Sequence, residues 1–269
     1  MKKRLSMISL IMTSVLLLSG CGNSGGKTAD TVNSKKTLNI LTYANWNPFE
    51  YLDKGELVGF DIDLIKALSK EAGYECKVKN VGWDEMFTQI KGNTADAGIS
   101  GITITDDRKQ TYDFSERYFI SRQSVVVKND SDIKTGEDLK NNKIIGVQNG
   151  STGQEAAEKL LGKNNENIKK FKNGLHYMEL VNNNIDVAIG DDTNNQGFLK
   201  SNPDANLKII QDENTFAPEY FGIMYPKDSK LKSEFDKALD TLYDNGTYKE
   251  IYMKWFKVEP NIDELKAPK

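Results

Sequence analysis

From Leu38 onward the chain alternates between short apolar runs and stretches whose apolar residues recur every three or four positions. Leu38–Leu41 predicts a strand. Leu64, Ile65, Leu68 and Ala72 fall at helical spacing within 61–72, and Gly73 ends that helix. Glu75–Val81 alternates as a strand, Trp83–Ile90 predicts an amphipathic helix through Met86, Phe87 and Ile90, and Ala95–Ile99 a small buried strand. The pattern then begins again. Lys143–Val147 reads as a strand, Asn149–Gly153 as a tight loop, Gln154–Leu161 and Leu175–Val181 as helices, and Ile185–Ile189 as a second small buried strand. Leu231–Phe256 gives two helices around the Asn245-Gly246 break. Strand and helix alternating at this spacing predict a mainly parallel α/β architecture with helices on both faces. Ala95-Asp96-Ala97-Gly98-Ile99-Ser100 and Ile185-Asp186-Val187-Ala188-Ile189-Gly190 echo one another, each an Asp-led apolar strand running into a polar loop. Two halves of similar design are implied.

The residues ahead of Leu38 follow another logic. Met1-Lys2-Lys3-Arg4 is basic, and the apolar run Leu5–Leu18 is shorter than the roughly 20 residues a membrane-spanning helix needs. It suits an export signal. Leu17-Leu18-Ser19-Gly20-Cys21 resembles the lipobox of bacterial lipoproteins, which implies a signal peptide over 1–20 and a lipid on the Cys21 thiol. Residues 22–36 have linker composition, and 15 flexible residues reach about 20 Å. The expectation is an extracytoplasmic domain tethered to a bacterial membrane.

Composition narrows the chemistry. Cleavage before Cys21 removes three of 36 basic residues and leaves 33 against 39 acidic ones, a net charge of −6. That argues against binding nucleic acid through its phosphates. One His and two Cys are too few for a zinc site of the usual kind, and no cofactor is implied. A Ser-His-Asp hydrolase would rest on His176 alone, which reads as a surface residue without a partner. With Cys21 lipidated, Cys76 has no intrachain partner and reads as a buried thiol in a strand.

Ligands of open α/β sheets collect outside the carboxyl ends of strands, here the loops after Ile99, Val147 and Ile189. Ser100–Arg108 offers hydroxyls, a glycine and a guanidinium, a set suited to a carboxylate or equally to a capped turn. Ser151 and Thr152 open a helix, where they can face an anion or simply cap. Asp191 and Asp192 can hold an ammonium group or cap a turn. Trp46 and Trp83, with Tyr43 near the first, suit either a pocket or a core. Arginine, helix end and aspartate together match a zwitterion.

Gly59-Phe60-Asp61-Ile62-Asp63-Leu64, Ser100–Arg108, Tyr112-Asp113-Phe114-Ser115 and the closing stretch Asn245–Phe256 resemble the signatures of extracellular solute-binding proteins for polar amino acids. The resemblance runs from about Leu38 to Val258. It implies the two-lobed periplasmic-binding-protein type 2 fold, with two crossing strands as hinge and the ligand cleft between lobes. Lobe one would comprise 37–121 plus 222–258, lobe two 122–221, and 259–269 a C-terminal tail. By the same resemblance Arg108 clamps the α-carboxylate with the amides of Thr103 and Thr152. Asp191 takes the α-ammonium with the Thr103 hydroxyl and the Gly101 carbonyl. Trp46 and Trp83 enclose the side chain, beside Ser100. Members for basic or amide side chains commonly carry Asp where this chain has Tyr43. The implied function is to capture a polar or cationic L-amino acid, as a monomer, for an ABC permease. Alternatives are an enzyme like cyclohexadienyl dehydratase, with Asp192 or Glu219 as acid, and a sensor module docking on a partner.

Overall fold

The computed structural model describes residues 36–268, so the signal peptide, Cys21 and nearly all of the linker lie outside the described residues. The first half opens with β1 (Thr37–Thr42), the hairpin β2 (Tyr51–Asp53) and β3 (Glu56–Val58), then α1 (Phe60–Glu71) and β4 (Glu75–Asn80). It continues with α2 (Trp83–Lys91), β5 (Ala97–Gly98), α3 (Asp106–Lys109) and β6 (Tyr112–Phe114). A ten-residue strand, β7 (Phe119–Lys128), leads into the second half. There follow β8 (Ile145–Gln148), α4 (Thr152–Leu161), β9 (Ile168–Phe171), α5 (His176–Val181), β10 (Val187–Asp191), α6 (Asp192–Ser201) and β11 (Leu207–Ile210). The chain returns through β12 (Pro218–Phe221) and β13 (Met224–Pro226), and closes with α7 (Leu231–Asp244), α8 (Thr247–Phe256) and α9 (Ile262–Lys266).

Two sheets result. The first has the order β4-β1-β5-β13-β6 and the second β11-β7-β10-β8-β9. The strands joined by helical crossovers run parallel, β1 with β4 and β5, and β8 with β9 and β10. The strands that carry the chain between halves run the other way, so each sheet is mixed where the pattern predicted mainly parallel pairing. β13 is antiparallel to β5 and β6, and β7 to β10 and β11. β7 also pairs with β12 over Phe119–Arg122 and Pro218–Phe221, so two adjacent antiparallel strands connect the sheets.

Each sheet buries its own apolar face. α1, α7 and α8 cover the first, where Leu38, Ile40, Phe60, Leu64, Phe235 and Tyr248 meet; Leu265 of α9 joins them. Val125, Val127, Ile145, Val147, Val187 and Ile189 pack beneath α4 in the second. Cys76, a free thiol on β4, is half-buried at the margin of the first core rather than enclosed in it. The echo in the sequence has a structural counterpart. Asp96 accepts the Asn39 N–H at 2.8 Å, and Asp186 accepts the Ile144 N–H at 2.7 Å. In both cases the Asp backbone N–H also donates to the carbonyl of that same residue, which locks the central strand of each sheet to its neighbour.

Candidate functional site

A cavity of about 640 Å³ lies where the loops of both sheets meet. Tyr43, Trp46, Trp83, Ser100, Gly101, Thr103, Arg108, Ser151, Thr152 and Asp191 all line it, so residues singled out from five separate places along the chain converge on one space.

Arg108 sits in the short helix α3, whose start is capped by the Thr105 hydroxyl, which accepts the Arg108 N–H at 3.2 Å. The turn folds the guanidinium back under its own loop. Nη1 donates to the Thr103 carbonyl at 2.8 Å, and Nη2 crosses to the Gly150 carbonyl at 3.0 Å. Only 7% of Arg108 is exposed, and its guanidinium carbon stands 5.8 Å from the Trp83 ring and 5.3 Å from Phe87. Burial lowers its pKa, against the opposing charges of Glu155, Glu219, Asp191 and Asp107. Of five guanidinium N–H groups these two bonds occupy two, which leaves donors for a bidentate carboxylate. Ser151 caps α4 by accepting the Gln154 N–H at 3.2 Å, and Thr152 is the first residue of that helix.

Asp191 is the last residue of β10 rather than part of a loop, and α6 starts immediately after it. Ser121 Oγ donates to its Oδ1 at 2.8 Å. Burial, then the nearby Glu219 charge, raise its pKa to about 7. Asp192 points its carboxylate to the amides of Gln196 and Gln211 instead, at 2.6 and 2.8 Å, and does not line the cavity. Asp191 and Arg108 thus bring a carboxylate and a guanidinium to one cavity.

The two tryptophans serve core and cavity together. Trp46 packs on Phe49 and edge-on to Phe221 at the margin of the first core, and Trp83 begins α2. Gly101 makes the Trp46 position possible. Its φ is +54°, and a Cβ there would stand 2.3 Å from the indole ring. Tyr43 accepts a bond from Asn45 at its hydroxyl, while its backbone N–H donates to Ser100 Oγ at 3.2 Å.

Behind this floor lies a buried acid pair that the motifs did not flag. Ser100 Oγ donates to Glu50 at 2.6 Å; the Gly101 N–H and the Tyr118 hydroxyl donate to Asp61 at 2.9 and 3.0 Å. Both carboxyls are fully buried. Burial and the Asp61 charge push Glu50 well above the ordinary carboxylate range, and burial raises Asp61 to about 7. Each carboxyl of the pair therefore holds its proton more tightly than a free acid does.

Two polar groups escaped the sequence reading because they sit on a strand between the sheets, Ser121 and the cavity-lining Gln123 of β7, while Glu219 of β12, nominated there only as a candidate acid, joins their network. The i, i+2 spacing of Ser121 and Gln123 beside an apolar Val125–Val127 run is the signal that a strand there faces something polar. Glu219 Oε2 accepts from Thr103 Oγ1 at 2.8 Å, Thr152 Oγ1 at 2.7 Å and Gln123 Nε2 at 3.3 Å. His176 corrects an expectation. It is buried, 2% exposed, its ring tilted against Tyr177 at 4.1 Å, and burial lowers its pKa to about 3. Gly146, which offers no side chain, lets the His176 Cβ pack against β8 where a surface position was expected.

The profile of the bacterial extracellular solute-binding proteins, family 3, matches residues 38–258. A probable histidine-binding protein of Neisseria gonorrhoeae is 36% identical over 91% of this chain and 93% of its own length. The arginine-binding extracellular protein ArtP of Bacillus subtilis is 36% identical over 95% and 98%. Among solved structures, the arginine-, lysine-, histidine-binding protein ArtJ of Geobacillus stearothermophilus superimposes with a TM-score of 0.83 at 48% identity, over 86% of this chain and 100% of that one.

Proposed function

The chain belongs to the bacterial extracellular solute-binding proteins, family 3, and acts as the amino-acid-binding component of an ABC importer; from that premise we propose that its ligand is an L-amino acid with a cationic side chain, arginine first. Lobe one comprises 37–121 plus 222–258 and lobe two 122–221, with β7 and β12 as the hinge. The observation that carries the reading is that Arg108 and Asp191 line one cavity with two buried tryptophans. Arg108 takes the α-carboxylate and Asp191 the α-ammonium, assisted by Thr103 and Thr152. Trp46, Trp83 and Tyr43 hold the side chain by its flat faces. Tyr43 is a neutral phenol, so a cationic head relies on cation–π attraction, about 0.5–2 kcal/mol for each ring. The relatives named above carry histidine, arginine and lysine in their names, which supports this choice.

The protein works as a binder, not as an enzyme, and as a monomer anchored through a lipid on Cys21. The carboxyls nominated for acid catalysis have other engagements, Asp192 with two glutamines and Glu219 with two threonines. Calorimetric titration of the chain from Gly22 onward with arginine, lysine, histidine, glutamine and citrulline tests the ligand. One-to-one binding with arginine tightest is expected; preference for glutamine or citrulline overturns the cationic assignment. Conversion of prephenate or arogenate would overturn the assignment as a binder. Loss of palmitate incorporation in Cys21→Ser tests the anchor.

A further inference from the structure

In the network around Glu219 every hydroxyl proton has a determined direction. A threonine hydroxyl has one proton to give and lone pairs to receive with, so committing the proton decides what the oxygen offers elsewhere. Gln123 Nε2 donates to Thr152 Oγ1 at 3.1 Å, and Thr152 donates onward to Glu219. Thr152 is therefore used in both directions. Thr103 Oγ1 gives its proton to the same carboxylate oxygen and lies 3.4 Å from Thr152 Oγ1. With that proton spent, Thr103 faces the cavity with lone pairs only. The four residues come from four places: the loop after β5, the start of α4, β7 and β12.

We propose that Glu219 is a positioning residue for recognition of the ligand's α-ammonium group: it draws off the hydroxyl protons of Thr103 and Thr152, so that Thr103 meets the ammonium as an acceptor beside Asp191. This rests on the amino-acid reading given above. The role is one of polarity and not of bulk. An amide in place of the carboxylate has the same shape but carries an NH₂ group, which can donate to Thr103. Thr103 then turns its own proton towards the cavity, where it opposes an ammonium.

The test compares L-arginine with 5-guanidinopentanoate, which keeps the guanidinium and the carboxylate but lacks the α-ammonium. Affinities for both are measured by calorimetry in wild-type protein, Glu219→Gln, Thr103→Val and the double variant, each checked by far-UV spectrum and melting temperature. Wild-type protein should prefer arginine strongly, and Glu219→Gln should cut that preference about tenfold or more, weakening the analogue by much less. In the Thr103→Val background the preference is already reduced, and Glu219→Gln should reduce it no further. Equal loss of affinity for both compounds in Glu219→Gln would mean a merely structural role and overturns the proposal. So does an unchanged preference, or a full additional loss in the double variant. Wild-type protein that binds neither compound overturns the amino-acid reading itself, and this proposal with it.

Discussion

Arg108 Nη2 stands 3.0 Å from the carbonyl oxygen of Gly150, so a side chain carried beside the first sheet is bonded to the loop that opens α4 beside the second. In the proposed reading the same guanidinium would serve both ligand and lobe contact, so removing it would take away a partner for the ligand carboxylate together with one tie between the sheets.

Arg108→Ala should weaken arginine binding about 100-fold or more, since each charge-assisted bond contributes roughly 1.5–3 kcal/mol. Arg108→Lys should recover little of it, because an ammonium cannot reach two carbonyls and fork onto a carboxylate. Titration calorimetry alongside a native far-UV spectrum checks both.

Binding should depend on pH through Asp191. Its pKa of about 7, raised chiefly by burial, means that below pH 7 a proton must leave before an ammonium can be held. Affinity should therefore fall by up to about tenfold for each unit of pH lowered below 7 and level off above 8. Asp191→Asn should bind weakly with a flat profile; a wild-type affinity constant from pH 5.5 to 8 would contradict the assignment.

Stability should show an opposite trend with pH. His176, lowered to about 3 by burial, opposes it below about pH 6.5, but Glu50, Asp61 and Asp191 are all raised in the folded state, so these carboxyls hold more protons than in the unfolded chain between about pH 4 and 7. Their stabilising contribution is complete below the unfolded pKa and is lost as pH rises through 7, about 1.4 kcal/mol for each pH unit crossed per proton. The unliganded melting temperature should fall from pH 5 to pH 8. Glu50→Gln, which imitates the protonated acid, should flatten that fall.

Gly197 of α6 lies against the Asn47 carbonyl beside the cavity, and a Cβ there would come within 2.2 Å of that oxygen. Backbone cannot give way as a side chain can. Gly197→Ala should therefore hold the two halves apart and weaken ligand binding, with a larger radius of gyration in small-angle scattering at saturating arginine. A scattering curve and affinity equal to wild type would refute the expectation.

What was legible in the sequence follows from how local each signal is. α1, α2, α4 and α7 were found to within a residue or two, since an amphipathic helix writes its period into its own residues. Most of the ten cavity residues were legible for a related reason, as they lie at or just beyond the ends of strands, an exception being Trp83, which opens α2. β7, β11, β12 and β13 were not read. Their pairing is antiparallel and set by partners far away in the chain, as with Arg122 and Pro218 or Gly98 and Met224. Ser121 and Gln123 were lost with those strands, and Glu219 was named only as a candidate acid, without its bonds to Thr103 and Thr152. His176 was misjudged because its burial depends on the absence of a side chain at Gly146, thirty positions earlier.

β7 belongs at once to the span between the sheets and to the wall of the cavity. Ser121 and Gln123 point from it towards Asp191, Thr152 and Glu219, while its backbone carries the chain from one half to the other. With β7 as the proposed hinge, selectivity and compliance would be inherited together. A substitution that retunes ligand preference at these positions should also retune how readily the jaws swing. A change of diet would then bring a change of mechanics with it, and ligand preference measured at equilibrium would record both.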